Sequence, residues 1–156
     1  MAGRDTPHSA PDDSGAAGPR GKSGGRGRKK AAEQAAEWFG NLGQLEFDID
    51  FFERLLTRNA DSIEVLRILA ELVSRKGLVK RAVELDRRLV ELMPDDFLAR
   101  YNLACSLARA GRPDEAIDSL SRAILLGYDD LSHMETDPDL ESLREHPDFR
   151  ALLDTD

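Results

Sequence analysis

The side chains that could support metal binding or nucleophilic catalysis are few in this sequence, which has three histidines and one cysteine. A zinc site is usually built from His or Cys pairs that lie a few residues apart. His133 and His146 are 13 residues apart, His8 lies near the first residue, and none of them stands beside Cys105. The spacing therefore predicts no metal site.

Acidic residues cluster near the end of the sequence, between Asp129 and Asp139. A calcium loop also uses clustered carboxylates, but it needs a glycine turn and a terminal Glu that this segment lacks. We interpret the cluster as a solvated acidic loop that supplies helix caps. No convergent set of polar groups marks a catalytic pocket, and no glycine loop is placed to cradle phosphate, so we expect a non-catalytic protein without a cofactor.

Charge is unevenly distributed along the 156 residues, whose formal net charge is −8. Residues 1–30 contain seven Lys or Arg and three Asp, whereas the rest contains 15 basic and 27 acidic side chains. An acidic body repels phosphate backbones, which argues against nucleic acid as its partner, although the basic segment could contact one weakly. Because residues 1–30 lack large apolar side chains after the initial methionine, we predict a disordered basic Gly/Ser/Arg-rich tail.

Neither export nor membrane insertion is indicated by the sequence. The N-terminal segment lacks the apolar stretch of a signal peptide, and no later segment approaches the ~20 apolar residues of a membrane span. Cys105 has no second cysteine to pair with inside the chain, so a reducing compartment is permitted. We expect a cytoplasmic protein.

From Ala31 onward, apolar residues recur three and four positions apart, as in Leu66, Leu69 and Val73. This spacing predicts an all-α fold. Pro113 suits a first helical turn, and Pro94 suits the residues after a helix end. The predicted helices span residues 31–41, 46–58, 63–76, 79–92, 97–110, 113–126 and 138–145, with a last turn near 148–153.

The sequence also repeats itself at a spacing of 34 residues, which is typical of a repeated helix pair. The small side chains of Ala70 and Ala82, and their counterparts in the next repeat, would let two antiparallel helices approach closely. A glycine in the turn between them can adopt positive φ at little cost. The superimposed pairs are Leu69 with Leu103, Ala70 with Ala104, Gly77 with Gly111, Ala82 with Ala116 and Val83 with Ile117.

These residues resemble the tetratricopeptide repeat, which implies a right-handed superhelical α-solenoid of antiparallel helix pairs. Leu66 and Arg100 stand where the family usually has an aromatic residue. Asp86 replaces a large apolar residue, and Tyr128 replaces the expected Pro. The matching repeat-packing positions are Leu69, Ala70, Gly77, Ala82 and Pro94 in one unit and Leu103, Ala104, Gly111, Ala116 and Ala123 in the next.

The same register predicts the domain layout. Residues 63–96 and 97–130 form tetratricopeptide units, and residues 31–62 form a degenerate first repeat, or a linker helix plus a helix, with Gly43 at the turn. Residues 131–156 form capping helices that cover the face left open by the helix at 113–126. We assign the apolar residues of this segment to stability rather than recognition: Leu140, Leu143, Phe149, Leu152 and Leu153.

The resemblance further implies a protein-protein interaction module, an adaptor or scaffold, because the first helices of stacked repeats line a concave groove that accepts a peptide or helix. For any single groove position an ordinary charged solvent face is an equal alternative, and Cys105 could be an inert, partly buried thiol. The family pattern places these residues at exposed concave positions: Glu64, Arg67, Glu71, Arg75, Leu98, Tyr101, Asn102, Cys105 and Arg109.

Two other roles stay open at the level of the sequence. The Trp38-Phe39 segment and the helix that carries Phe47, Phe51 and Phe52 could dock on another copy or on a larger complex, because a domain of this size gains stability from such an interface. The chain would then be a self-assembling or accessory structural subunit. In the other role, the basic tail would tether the domain to an acidic surface.

Overall fold

The computed structural model describes the backbone of residues 25–154 and the side chains from residue 40 onward, with the exceptions of 41 and 42. The predicted tail therefore lies outside the described residues up to position 24, and its last six residues, 25–30, are helical rather than disordered. The chain divides between Trp38 and Phe39, and the packing below belongs to the part from Phe39 onward. None of the described helices is both long and apolar enough to cross a membrane.

Helices account for all the regular structure in the described part of the chain, which confirms the predicted all-α class. Consecutive helices α2 to α5 pack as neighbours along the chain. The elements are α1 (Gly25–Arg58), α2 (Ile63–Lys76), α3 (Val79–Leu92), α4 (Phe97–Arg109), α5 (Pro113–Leu125), α6 (Leu131–Thr136), a 3₁₀ helix (Pro138–Leu143) and α7 (Pro147–Leu153).

The turn predicted at Gly43 is not formed, because α1 continues through it to Arg58. Gly43 does not have the positive φ that ends a helix in this protein, and a glycine inside a helix costs only about 1 kcal/mol relative to alanine. The later part of α1 is fixed to its neighbours by apolar packing of Ile49, Phe52 and Leu56. Glu53 adds a two-pronged ion pair, accepting from Arg81 of α3 at 2.8 Å through each carboxylate oxygen.

The 34-residue period is visible in the helix boundaries, since α2 and α4 begin 34 residues apart, as do α3 and α5. Gly77 and Gly111 end the first helix of each pair with φ of 81° and 71°. Pro94 is exposed in the turn between α3 and α4. The predicted packing residues of the helix interiors are buried: Leu69, Ala70, Ala82, Leu103, Ala104, Ala116 and Ala123.

The segment after α5 covers more of the repeats than the predicted face of α5. Helix α7 contacts α5, and the 3₁₀ helix packs against α4. The apolar residues of this segment explain its packing, because Leu140, Leu143 and Phe149 belong to the same buried core as α4 and α5. Helix α6 was not predicted; Asp130 caps it by accepting a hydrogen bond from the His133 amide at 2.9 Å.

Candidate functional site

A groove of about 540 Å³ lies between α2 and α4, with further walls from α3 and the segment after α5. Glu64 lies outside it. We call this cavity the groove. The other predicted concave residues all line it: Arg67, Glu71, Arg75, Leu98, Tyr101, Asn102, Cys105 and Arg109. Their shared position is a geometric fact, while their role in binding stays a prediction.

The family pattern placed Tyr101 and Cys105 at exposed positions. In the structure they are buried and form the floor of the groove. They are 4% and 8% exposed, because the 3₁₀ helix packs on the side of α4 that carries them. The Tyr101 hydroxyl donates a hydrogen bond of 2.7 Å to Asp137. Burial raises the pKa of the Cys105 thiol, so the thiol stays protonated. The prediction of exposure was therefore wrong for Tyr101, whereas Cys105 is the buried thiol that the sequence offered as its alternative.

Two of the three predicted arginines already have partners within the protein. Arg67 donates to Asp96 at 2.9 Å. Arg109 donates to the Ser74 carbonyl at 3.1 Å and lies 3.9 Å from Asp139. Arg75 makes no hydrogen bond or ion pair with the described residues. Of the three predicted groove arginines, it is therefore the one whose charge has no partner in the described part of the chain.

The open side of the groove carries apolar and polar groups that the fold leaves unused. Leu98 is 51% exposed, and the side chains of Glu71 and Asn102 are also exposed. The Asn102 carboxamide has no hydrogen-bond partner among the described residues. An amide with free donors and an acceptor beside an exposed leucine is suited to contact the backbone and an apolar side chain of a peptide.

The groove floor contains a carboxyl group that sequence reasoning did not assign to the site. Asp86 of α3 is 5% exposed and accepts a hydrogen bond of 2.6 Å from the Ser106 hydroxyl. Burial raises the pKa of the Asp86 carboxyl to about 6, against the opposing effect of the Ser106 bond. The signal in the sequence was a carboxylate at a repeat position where a large apolar residue is usual.

The segment after α5 also contributes groove residues that were assigned to stability or not assigned at all. Tyr128 stacks on Tyr101 with ring centroids 4.6 Å apart. Asp137 lies beside them, with His133 Nε2 3.4 Å from one of its carboxylate oxygens. Asp137 also caps the 3₁₀ helix by accepting from the Asp139 amide at 2.9 Å. In the sequence, Tyr128 stands where the tetratricopeptide family has Pro. This departure was the signal that the segment after α5 follows a different path from that of the family.

Within the described residues, no group of three or more His, Cys, Asp or Glu side chains is arranged to hold a metal ion. The acidic residues near the end of the chain have other roles there. Asp130 and Asp137 cap short helices, but Asp137 is buried, so the prediction of a solvated loop was wrong for this residue.

Comparison with known proteins relates this architecture to helical-repeat proteins. The solved structure of MamA ("MamA MSR-1 C2") superimposes with a TM-score of 0.57 at 26% identity, over 74% of this chain and 71% of that chain. MamA is a tetratricopeptide-like protein, so the chain has a tetratricopeptide-like fold.

A curated relative is similar over a shorter stretch. This chloroplastic protein from Arabidopsis thaliana is 31% identical over 83 residues, which is 51% of this chain. The chain spans about a quarter of the length of that relative. No protein-family profile matches the chain.

Proposed function

We propose that the chain is a non-catalytic protein-interaction module that binds a peptide or helix of a partner protein in the groove. The observation that carries this proposal is the unused chemistry of α4: Leu98 is half exposed and Asn102 has free hydrogen-bonding groups, and both line the groove. The tetratricopeptide-like fold supports the proposal, because stacked helix pairs present such concave surfaces to partners.

The physical basis of binding would be a small number of central contacts. An apolar side chain of the partner would cover Leu98 and remove its surface from water. The Asn102 carboxamide would bond to the partner's backbone, and the exposed Arg75 and Glu71 would select its charges. Interfaces usually depend on a few such residues surrounded by contacts that exclude water.

The double variant Leu98→Ala/Asn102→Ala is expected to weaken partner capture by about tenfold or more, since truncation of central interface residues costs about 2 kcal/mol. The measurement is affinity capture from the native cell, with bound proteins quantified by mass spectrometry. Both side chains are exposed on α4, so helicity should be unchanged by circular dichroism.

The matched control is Leu125→Ala/Asn59→Ala. It makes the same two chemical changes at exposed positions outside the groove, where Leu125 is 82% exposed. The control should retain every partner. Equal capture by the groove variant and the unaltered chain would refute the proposal.

A second candidate function is self-assembly, and an apolar patch on α1 favours it. Phe47 and Phe51 lie four residues apart on one helix face and are 66% and 49% exposed. Adjacent exposed aromatic rings of this kind are uncommon on a monomer and often mark an interface. The Trp38 side chain, which the sequence also suggested for this role, lies outside the described side chains.

Self-assembly predicts that the unaltered chain has at least twice the monomer mass in solution, and that Phe47→Ser/Phe51→Ser returns it to the monomer. Light scattering coupled to size exclusion measures this directly. Leu125→Ser removes an apolar side chain that is still more exposed, at 82%, and it should leave the mass unchanged. A monomeric mass for the unaltered chain at high concentration would reject this second function.

A further inference from the structure

The floor of the groove contains two buried carboxyl groups. Asp86 and Asp137 are 5% and 9% exposed, and both line the groove. Two basic side chains lie near Asp137: His133 Nε2 is 3.4 Å from one of its carboxylate oxygens, and Arg144 donates to its backbone carbonyl at 3.5 Å. Neither carboxylate forms an ion pair with a Lys or Arg in the described part of the chain. A buried carboxylate without a cation is costly, and a cation placed beside it would offset part of that cost.

A third polar group at the same place lacks a well-formed hydrogen bond. The Tyr128 hydroxyl is buried beside the Tyr101 side chain, and its contacts with the described residues do not reach hydrogen-bond geometry; the Tyr128 side chain is 7% exposed and lines the groove. A phenol oxygen can accept a hydrogen bond, and carboxylates are acceptors only. The groove floor is therefore matched to a group that donates hydrogen bonds and carries positive charge.

Two basic side chains of the groove do not compete for these acceptors. Arg67 is paired with Asp96, and Arg109 bonds to Ser74 and lies near Asp139. An acidic partner group would meet two carboxylates at the floor, with Arg75 as the remaining uncommitted arginine. Charge complementarity thus favours a basic group over an acidic one.

We propose that the groove accepts a basic side chain, Lys or Arg, of the partner segment, seated between the Asp86 and Asp137 carboxylates and against the Tyr101–Tyr128 ring pair. This inference rests on the proposed function, and it adds the chemistry of the group recognised. Ammonium and guanidinium groups donate hydrogen bonds without accepting any, and they are attracted to the faces of tyrosine rings.

The test titrates the full-length chain with the blocked tripeptide Ac-Gly-Arg-Gly-NH₂ and records backbone amide shifts by nuclear magnetic resonance. The neutral control is the same tripeptide with citrulline in place of arginine. Saturable shifts at Cys105 and Ser106 are expected with arginine. Binding of the citrulline tripeptide, and binding of arginine to Asp86→Asn, should each be weaker by about tenfold or more, because a charge-assisted hydrogen bond is lost.

The matched variant is Asp95→Asn, which removes the same charge from an exposed turn outside the groove and should leave the titration unchanged. The proposal is overturned by equal binding of both tripeptides, by unaltered binding to Asp86→Asn, or by unsaturable shifts spread over the acidic surface. If the tripeptides fail while Leu98→Ala/Asn102→Ala still loses its cellular partner, the basic-group inference is wrong and groove binding stands.

Discussion

Phe149→Ala is expected to lower the free energy of unfolding by about 3 to 5 kcal/mol, the usual cost of removing a buried phenylalanine side chain. Phe149 belongs to α7 and is fully buried in the core that also contains residues of α4 and α5. Its removal would leave a cavity where the last segment meets the repeats. Urea denaturation followed by circular dichroism measures the change.

Leu125→Ala is the matched control for this loss. Leu125 lies on α5 but is 82% exposed, so its truncation should change the free energy of unfolding by less than about 0.5 kcal/mol. A comparable loss in both variants, or a loss below about 1 kcal/mol for Phe149→Ala, would show that α7 is not part of the repeat core.

Asp86→Asn is expected to stabilise the protein at pH 8 by about 1 to 3 kcal/mol and to change its stability little at pH 4. Burial raises the pKa of the Asp86 carboxyl to about 6. The folded protein therefore holds this proton more tightly than the unfolded chain does. Stability from this group is fully present below the ordinary Asp pKa near 4 and is lost as the pH rises to about 6.

The amide of Asn removes the buried charge, and it can still accept the hydrogen bond that Ser106 donates to Asp86. The difference in unfolding free energy between Asp86→Asn and the unaltered chain, measured from pH 4 to pH 8, isolates this group. Asp95→Asn, in an exposed turn, should show no comparable gain. A variant that is less stable at pH 8 would mean that the fold stabilises the ionised Asp86 carboxylate instead of penalising it by burial.

The repeat was predictable from the sequence because its signals are local and occur twice. The period of 34, the small residues near Ala70 and Ala104, and the glycines at 77 and 111 each determine a helix boundary or a close helix contact. The continuous α1 was not predictable from Gly43, because a glycine can end a helix or lie within it. The later part of α1 is fixed by the packing of Ile49 and Phe52 on the neighbouring core, and not by the identity of one residue.

The groove was predictable only in outline. The family pattern found the residues of α2 and α4 that line it, since a helix face follows from residue spacing. It did not find Asp137, Tyr128 or His133, which reach the groove through long-range packing of the 3₁₀ helix on α4. That packing also buries Tyr101 and Cys105, and burial is a property of the assembled fold rather than of a motif.

Photo-crosslinking in the native cell tests the central claim most directly, by placing benzoylphenylalanine at position 102 in the groove or at position 125 outside it. Both natural side chains are exposed, so the fold should tolerate either replacement. If the groove binds a partner protein, irradiation will give a crosslinked partner from position 102 and none from position 125. Crosslinking that is equal at both positions, or found only at position 125, would contradict the account.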